Sequence, residues 1–202
     1  MLGLPKATEL NKQLPKKAIY AKFQMNTAER ERMDRDISKI TIVNEISPAK
    51  INLGEGEKIK SFFVLLVTLK RKEFEEKNIL KLSKLIPQNI LFVLEYEGEA
   101  VLAVYETRLI STPWQKKDGL SVELKGLELD AVWQNIIQSM EGGEWKEELS
   151  LDENLLLHEK REKLQKEIAR LEKQARAEKQ PRKKFELVQK VKKLRKQLEK
   201  DL

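Results

Sequence analysis

The last third of the chain mirrors itself about Pro181, and that symmetry leaves few folds open. Outward from the proline, the apolar positions are Ala175, Leu171, Ile168 and Leu164 on one side, and Leu187, Val191, Leu194 and Leu198 on the other. Both sets step by four, three and four, the spacing of a coiled-coil seam. Folding the segment back sets Ala175 opposite Leu187, Leu171 opposite Val191, Ile168 opposite Leu194 and Leu164 opposite Leu198. The same mirror sets Glu178 against Lys184 and Arg161 against Asp201, two pairs of opposite charge. A four-three-four step is palindromic, so the layer matching is partly automatic. A proline at its centre is not, because proline breaks a helix interior yet suits the first turn of a new helix. The expectation is two antiparallel helices, at about 152–179 and 183–201, turning at Gln180-Pro181-Arg182.

Charge singles out the same segment. Residues 151–202 hold 17 Lys and Arg against 10 Asp and Glu, while residues 1–150 hold 23 of each, so the whole formal +7 belongs to the tail. Between 179 and 196, nine basic residues stand against one acid, Glu186. On the second helix Lys183, Lys190, Lys192, Lys193 and Lys196 point away from the seam, with Lys179 and Arg182 at the turn. Such groups displace condensed counterions from a nucleic-acid backbone, a favourable and salt-dependent contribution. A solubilising exterior usually mixes both signs, as the first helix does. These seven residues are therefore the candidate contacts to nucleic acid or to an acidic protein surface.

The remainder excludes more chemistry than it suggests. There is no cysteine, hence no disulfide framework, thiolate nucleophile or cysteine-based zinc site. A single histidine, His158, removes His-containing triads and multi-histidine metal sites. Gly54, Gly56, Gly142 and Gly143 are not followed by a phosphate-cradling pattern, and no G-x-S-x-G elbow exists. Neither a cofactor, a metal site nor a catalytic set is expected. The start, MLGLPKATEL, lacks the pattern of a signal peptide. The longest apolar run, Phe62 to Val67, is far shorter than the roughly 20 residues that span a bilayer. A soluble cytoplasmic protein without membrane contact is expected.

Three acidic or aromatic groupings admit sharper readings. Glu55, Glu57 and Lys58, beside an apolar strand, resemble the acids and lysine of a metal-dependent nuclease, but lack a spaced partner aspartate and read better as a solvated turn. Glu95, Glu97 and Glu99 around a hairpin could hold a cation, although charged edge strands commonly serve to discourage pairing with other chains. Trp114, Trp133 and Trp145 read as residues that fix the long helix against the body, with base stacking as the alternative.

Residues 1–143 are expected to form an α+β domain and 144–202 a basic helical hairpin. The body reads as a short helix over 4–13, a strand over 18–23 and a helix from Asn26, with Glu29 completing a capping box, to about Lys39. Met33, Ile37 and Ile40 would be the buried stripe of that helix. Strand-like alternation follows at Ile40, Ile42, Asn44 and Ile46, then a loop over 47–57. Residues 61–69, apolar at nearly every position, predict a central strand covered on both faces. A helix with Ile79, Leu82, Leu85 and Ile86 stops at Pro87, and two strands join across Glu97-Gly98-Glu99. A possible strand over 120–126 precedes a helix capped by Asp130. The sum is a mixed, mostly antiparallel sheet with flanking helices, plus a C-terminal antiparallel coiled-coil hairpin.

The Leu14-Pro15-Lys16 segment, the block Glu178-Lys179-Gln180 and Lys183-Lys184-Phe185-Glu186-Leu187 resemble the bacterial domain-of-unknown-function family 4391. The resemblance spans nearly the whole chain. It implies an accessory component of a DNA-processing or defence assembly, since such genes often lie beside those of helicases and DNA methyltransferases. It supplies no catalytic residues. The reading is a non-enzymatic binding module whose arm contacts nucleic acid or an acidic partner. The alternatives are a small metal-dependent nuclease, tested by Glu55→Ala or Glu57→Ala, and a structural dimerisation protein. Neither substrate nor oligomeric state follows from the sequence.

Overall fold

A computed structural model describes residues 2–142, 145–146 and 149–200, with side chains to residue 198. The chain divides into two compact units, Met1–Gly143 and Glu144–Leu202. The first is α+β, with a seven-stranded, mostly antiparallel sheet. Its elements are β1 (Glu9–Gln13), α1 (Lys16–Lys22), α2 (Thr27–Asp36), β2 (Ile37–Ile46), β3 (Phe62–Leu69), α3 (Glu76–Ser83), β4 (Asn89–Tyr96), β5 (Glu99–Tyr105), β6 (Leu109–Ser111), β7 (Gln115–Lys116) and α4 (Leu129–Glu141). Strand order is β1-β2-β3-β4-β5-β6, with β7 also on β5. Only β3 and β4 pair in parallel, and α3 makes the crossover between them.

The central position of β3 explains its apolar run. It is flanked by β2 and β4, so both its faces are available for burial. Leu65, Val67 and Leu69 join Phe92, Leu94, Val101 and Ala103 on one face, under Ile19, Met33, Ile79 and Leu82 from α1, α2 and α3. The alternate residues Phe62, Val64, Leu91 and Val93 are also buried, and Trp133 of α4 lies 5.1 Å from the Phe62 ring. Glu97 and Gly98 both have positive φ, 47° and 83°, the backbone of a tight primed turn whose twist matches the β4–β5 hairpin.

Several local expectations need correction. The segment 4–13 holds no α-helix. It has one 3-10 turn at Lys6–Thr8 and then β1, whose five side chains are all exposed and so show no strand periodicity. Residues 18–22 lie in α1 and Phe23 is its C-cap, so 18–23 is not a strand. A short apolar run is ambiguous between the two. Pro15 sits before the first helical residue, and Ile19 and Phe23, one turn apart, both reach the core.

Helix α2 has the Asn26–Glu29 capping box but ends at Asp36, so Ile37 and Ile40 are buried from β2 rather than from the helix. Helix α3 ends at Ser83, with Leu85 and Ile86 packing from the turn beyond it. Residues 120–126 form no strand. Leu120 and Val122 are buried alternately, and the Val122 N–H donates to the Leu2 carbonyl (3.0 Å), but the segment joins no strand of the sheet. Asp130 does not cap its own helix, whose N-cap is Glu128. Its carboxylate instead accepts the N–H groups of Lys58 (3.1 Å) and Ile59 (2.7 Å) and holds the 54–59 loop.

The second unit contains α5 (Leu151–Ala177) and α6 (Pro181–Lys200). Ser150 and Glu153 form a capping box that starts α5. Buried Asn154 accepts the Lys146 N–H and donates to the carbonyls of Lys146, Leu149 and Ser150, tying the approach to the helix. The chain leaves α5 at Glu178, and α6 begins at Pro181, where the missing N–H needs no partner. Ile168, Leu171 and Val191 form a buried cluster, with Leu187, Leu194 and Leu198 packed against it. The carboxylate of Glu178 accepts the Gln180 N–H and shapes the turn instead of pairing with Lys184. The interhelical ion pair is Arg195 to Glu172, at 2.6 Å. Asp201, the expected partner of Arg161, lies outside the described residues.

Candidate functional site

The two helices of the second unit treat their charges differently. On α5, Lys163 pairs with Glu159 and Lys166 with Glu162 one turn back, and Arg170 lies 2.7 Å from Glu167. These are i,i+4 and i,i+3 neighbours, so α5 offsets three of its cations along its own surface. Helix α6 cannot, because Glu186 is the only acid among its first eighteen residues. Arg182 lies 3.6 Å from Glu186. Among the described residues, no carboxylate pairs with Lys179, Lys183, Lys190, Lys192, Lys193 or Lys196, and all six are exposed.

The seven cations do not share one face. Lys179, Lys183 and Lys190 line an open groove of about 730 Å³ at the turn, where Gln174, Ala177 and Glu178 form the α5 side. At 100° per residue, Arg182, Lys192, Lys193 and Lys196 lie on the outer face of α6, at least about 130° from the Leu187–Leu198 seam. The arrangement can grip an extended polyanion along two adjoining tracks, each carrying three or four cations.

The other groupings are less suggestive in place. Glu55 and Glu57 are exposed, and Glu55 lies 3.6 Å from Lys60. Among the described residues no three of His, Asp and Glu gather in a geometry for a metal ion. Glu95 pairs with Lys117 at 2.9 Å and Glu99 with Lys72, so both of these acids have cationic neighbours. Trp133 is buried in the first unit and donates to Glu106, while Trp114 lies under Lys72, 5.4 Å from its ammonium. Trp145, in the second unit, meets the long helix, its ring 5.5 Å from that of His158. Trp133, 1% exposed, presents no face for a base.

The sequence reading missed Phe185 and Val188. They are apolar residues off the four-three-four seam, and that displacement was the available signal.

A family model described as Domain of unknown function (DUF4391) matches residues 2–198. The chain belongs to that family. No curated protein and no solved structure matches it. Because the match covers both units, the basic arm lies within the family's domain. Membership assigns no reaction to any residue. No helix among the described residues is long and apolar enough to cross a membrane.

Proposed function

We propose that the protein is a non-enzymatic accessory module of a cytoplasmic DNA-processing or defence assembly, and that its α5–α6 arm holds a nucleic-acid backbone. The arm packs as an antiparallel coiled coil, a stiff strut whose second helix carries the contacts. One observation supports this reading above the others: Lys163, Lys166 and Arg170 of α5 pair with carboxylates of their own helix, while Lys179, Lys183, Lys190, Lys192, Lys193 and Lys196 have no such partner among the described residues. Lysines held apart from carboxylates keep their full attraction for phosphate, and releasing the counterions condensed on a duplex drives the association. The body, with equal numbers of acids and bases in residues 1–150, leaves that attraction local to the arm. Helicase- or methyltransferase-type neighbours would meet the module on that assembly.

The test is retention of the full-length protein on duplex DNA and heparin at low ionic strength. Reversing Lys190, Lys193 and Lys196 to glutamate should abolish retention while the helical circular dichroism stays within a few per cent. Absence of retention by the wild type sinks the nucleic-acid role and leaves the arm a protein-docking or dimerisation strut. Magnesium- or manganese-dependent cleavage, lost in Glu55→Ala or Glu57→Ala, would replace this reading with the nuclease.

A further inference from the structure

One side of α6 carries apolar surface that its own hairpin leaves open. Phe185 is 62% exposed and Val188 36% exposed. The leucines of that helix and Val191 pack toward α5 instead. At 100° per residue, Val188 falls midway between Val191 and Phe185 around the helix, so the three make a continuous strip running off the seam. Buried Ala175 of α5 completes the floor of a shallow groove of about 290 Å³ between Val188 and Val191. Its rim is cationic, with Arg176 and Lys184 at its edges and Arg195 tied to Glu172.

That composition selects among occupants. A phosphate backbone gains nothing from Phe185 and Val188. A second copy docked by the same patch would bring Arg176 and Lys184 of both chains together, a like-charge juxtaposition that costs affinity. An amphipathic helix satisfies both features, because apolar anchors at i, i+3 or i+4 and i+7 cover the strip while flanking carboxylates meet the rim. We infer that this groove docks an acidic amphipathic helix of a partner protein. The strip starts at the groove beside the seam and runs outward to the lysine track: Val188 and Lys193 lie about 140° apart around α6, while Phe185 projects within about 20° of Lys192 and Lys196. The docking site does not depend on the nucleic-acid reading, because its anchors are apolar and its rim residues Arg176 and Lys184 are not among the seven candidate cations.

The experiment selects binders of the full-length protein from a displayed library of helical peptides. Apolar residues are held at i, i+3, i+4 and i+7, with free choice of Glu, Lys or Gln beside them. Glutamate should be enriched at the flanks. The double variant Phe185→Ser with Val188→Ser should bind the selected peptides at least about tenfold more weakly, the effect expected of removing central anchors. Its helical content should be unchanged, and it should elute from duplex DNA at the wild-type salt concentration. No enrichment, enrichment of lysine, or undiminished binding by the double variant overturns the inference. So does a dimer abolished by the double variant, which gives the groove to a second copy, or a selective loss of oligothymidine affinity, which makes Phe185 a base-stacking platform. Failure of the wild type to bind DNA would sink the function proposed above and leave this site standing.

Discussion

Asp36 has no exposed surface, yet it is placed to be charged. Its carboxylate accepts from Arg71 Nε (2.8 Å), from the Glu75 N–H (2.9 Å) and from Asn78 Nδ2 (3.0 Å), so a residue at the end of α2 secures the start of α3. Burial alone pushes its pKa up, but the Glu75 N–H and the Arg71 guanidinium together outweigh burial and hold it below the ordinary aspartate value. An unfolded aspartate titrates near 3.9. The folded value is lower, so this stabilisation is fully present above about pH 3.9 and is lost as pH falls through the folded value. Asp130 shifts in the same direction: burial raises it, and the N–H groups of Lys58 and Ile59 more than compensate. The melting temperature of the first unit should therefore be flat through neutral pH and fall steeply below about pH 4. Asp36→Asn should lower stability at pH 7 by about 3 kcal/mol, as for breaking a buried pair, and flatten that acid decline. Denaturant melts across pH read both effects. At Gly56 an added Cβ would lie 2.1 Å from Asp130 Oδ1 and 2.8 Å from its backbone nitrogen. Gly56→Ala should force the loop off α4 and cost at least about 2 kcal/mol by the same melts.

Among the elements, the α5–α6 pair depends on few residues. Leu171 is 7% exposed and sits in the small cluster with Ile168 and Val191, so Leu171→Asp places a carboxylate where no partner exists. A loss of several kcal/mol is expected. Because most helical stability in proteins comes from packing an amphipathic face rather than from propensity, the helical signal of the arm should drop along with its melting transition, while the sheet unfolds as before. Circular dichroism followed at helix and strand wavelengths separates the two. Replacing Pro181 by alanine should be tolerated within about 1 kcal/mol, because Glu178 already turns the chain through its bond to Gln180.

At the level of the whole molecule, the uneven charge sets the expected solution behaviour. A body with equal acids and bases and an arm carrying the net +7 should bind polyanions through the arm alone. One phosphate strand can meet only some of the seven cations, since Lys183 and Lys190 line the groove at the turn while Lys193 and Lys196 lie on the outer face. If about four phosphates are neutralised, log affinity for duplex DNA should fall against log salt with a slope near −3.6. Neutralising two cations of the outer track by Lys193→Gln and Lys196→Gln should bring that slope to about −1.8. A salt titration of fluorescence anisotropy measures both. A slope near zero would place the arm's partner outside the nucleic acids.

Periodicity and charge told most where the chain is locally self-consistent. The four-three-four steps around Pro181, the Asn26–Glu29 box, the apolar run of β3 and the β4–β5 hairpin all rest on neighbours within a turn or a ladder. Local chemistry is therefore enough to specify them. The Ser150–Glu153 box that starts α5 is of the same local kind, although the sequence reading placed the helix start only at about 152. The seven cations of the arm could be named from sequence because exposure requires nothing of the rest of the fold. Elements that borrow their partners from far along the chain could not be read this way. Strand β1 exists because β2 offers an open edge, and its exposed side chains record none of that. Asp130 faces a loop some seventy residues away instead of its own helix. Asp36 is charged in the core because Arg71, Glu75 and Asn78 arrive there from another element. The division of the lysines into two tracks, and the open strip of Phe185 and Val188, depend on which side of α6 meets α5. Helical period names the seam, but packing decides which flank it leaves exposed.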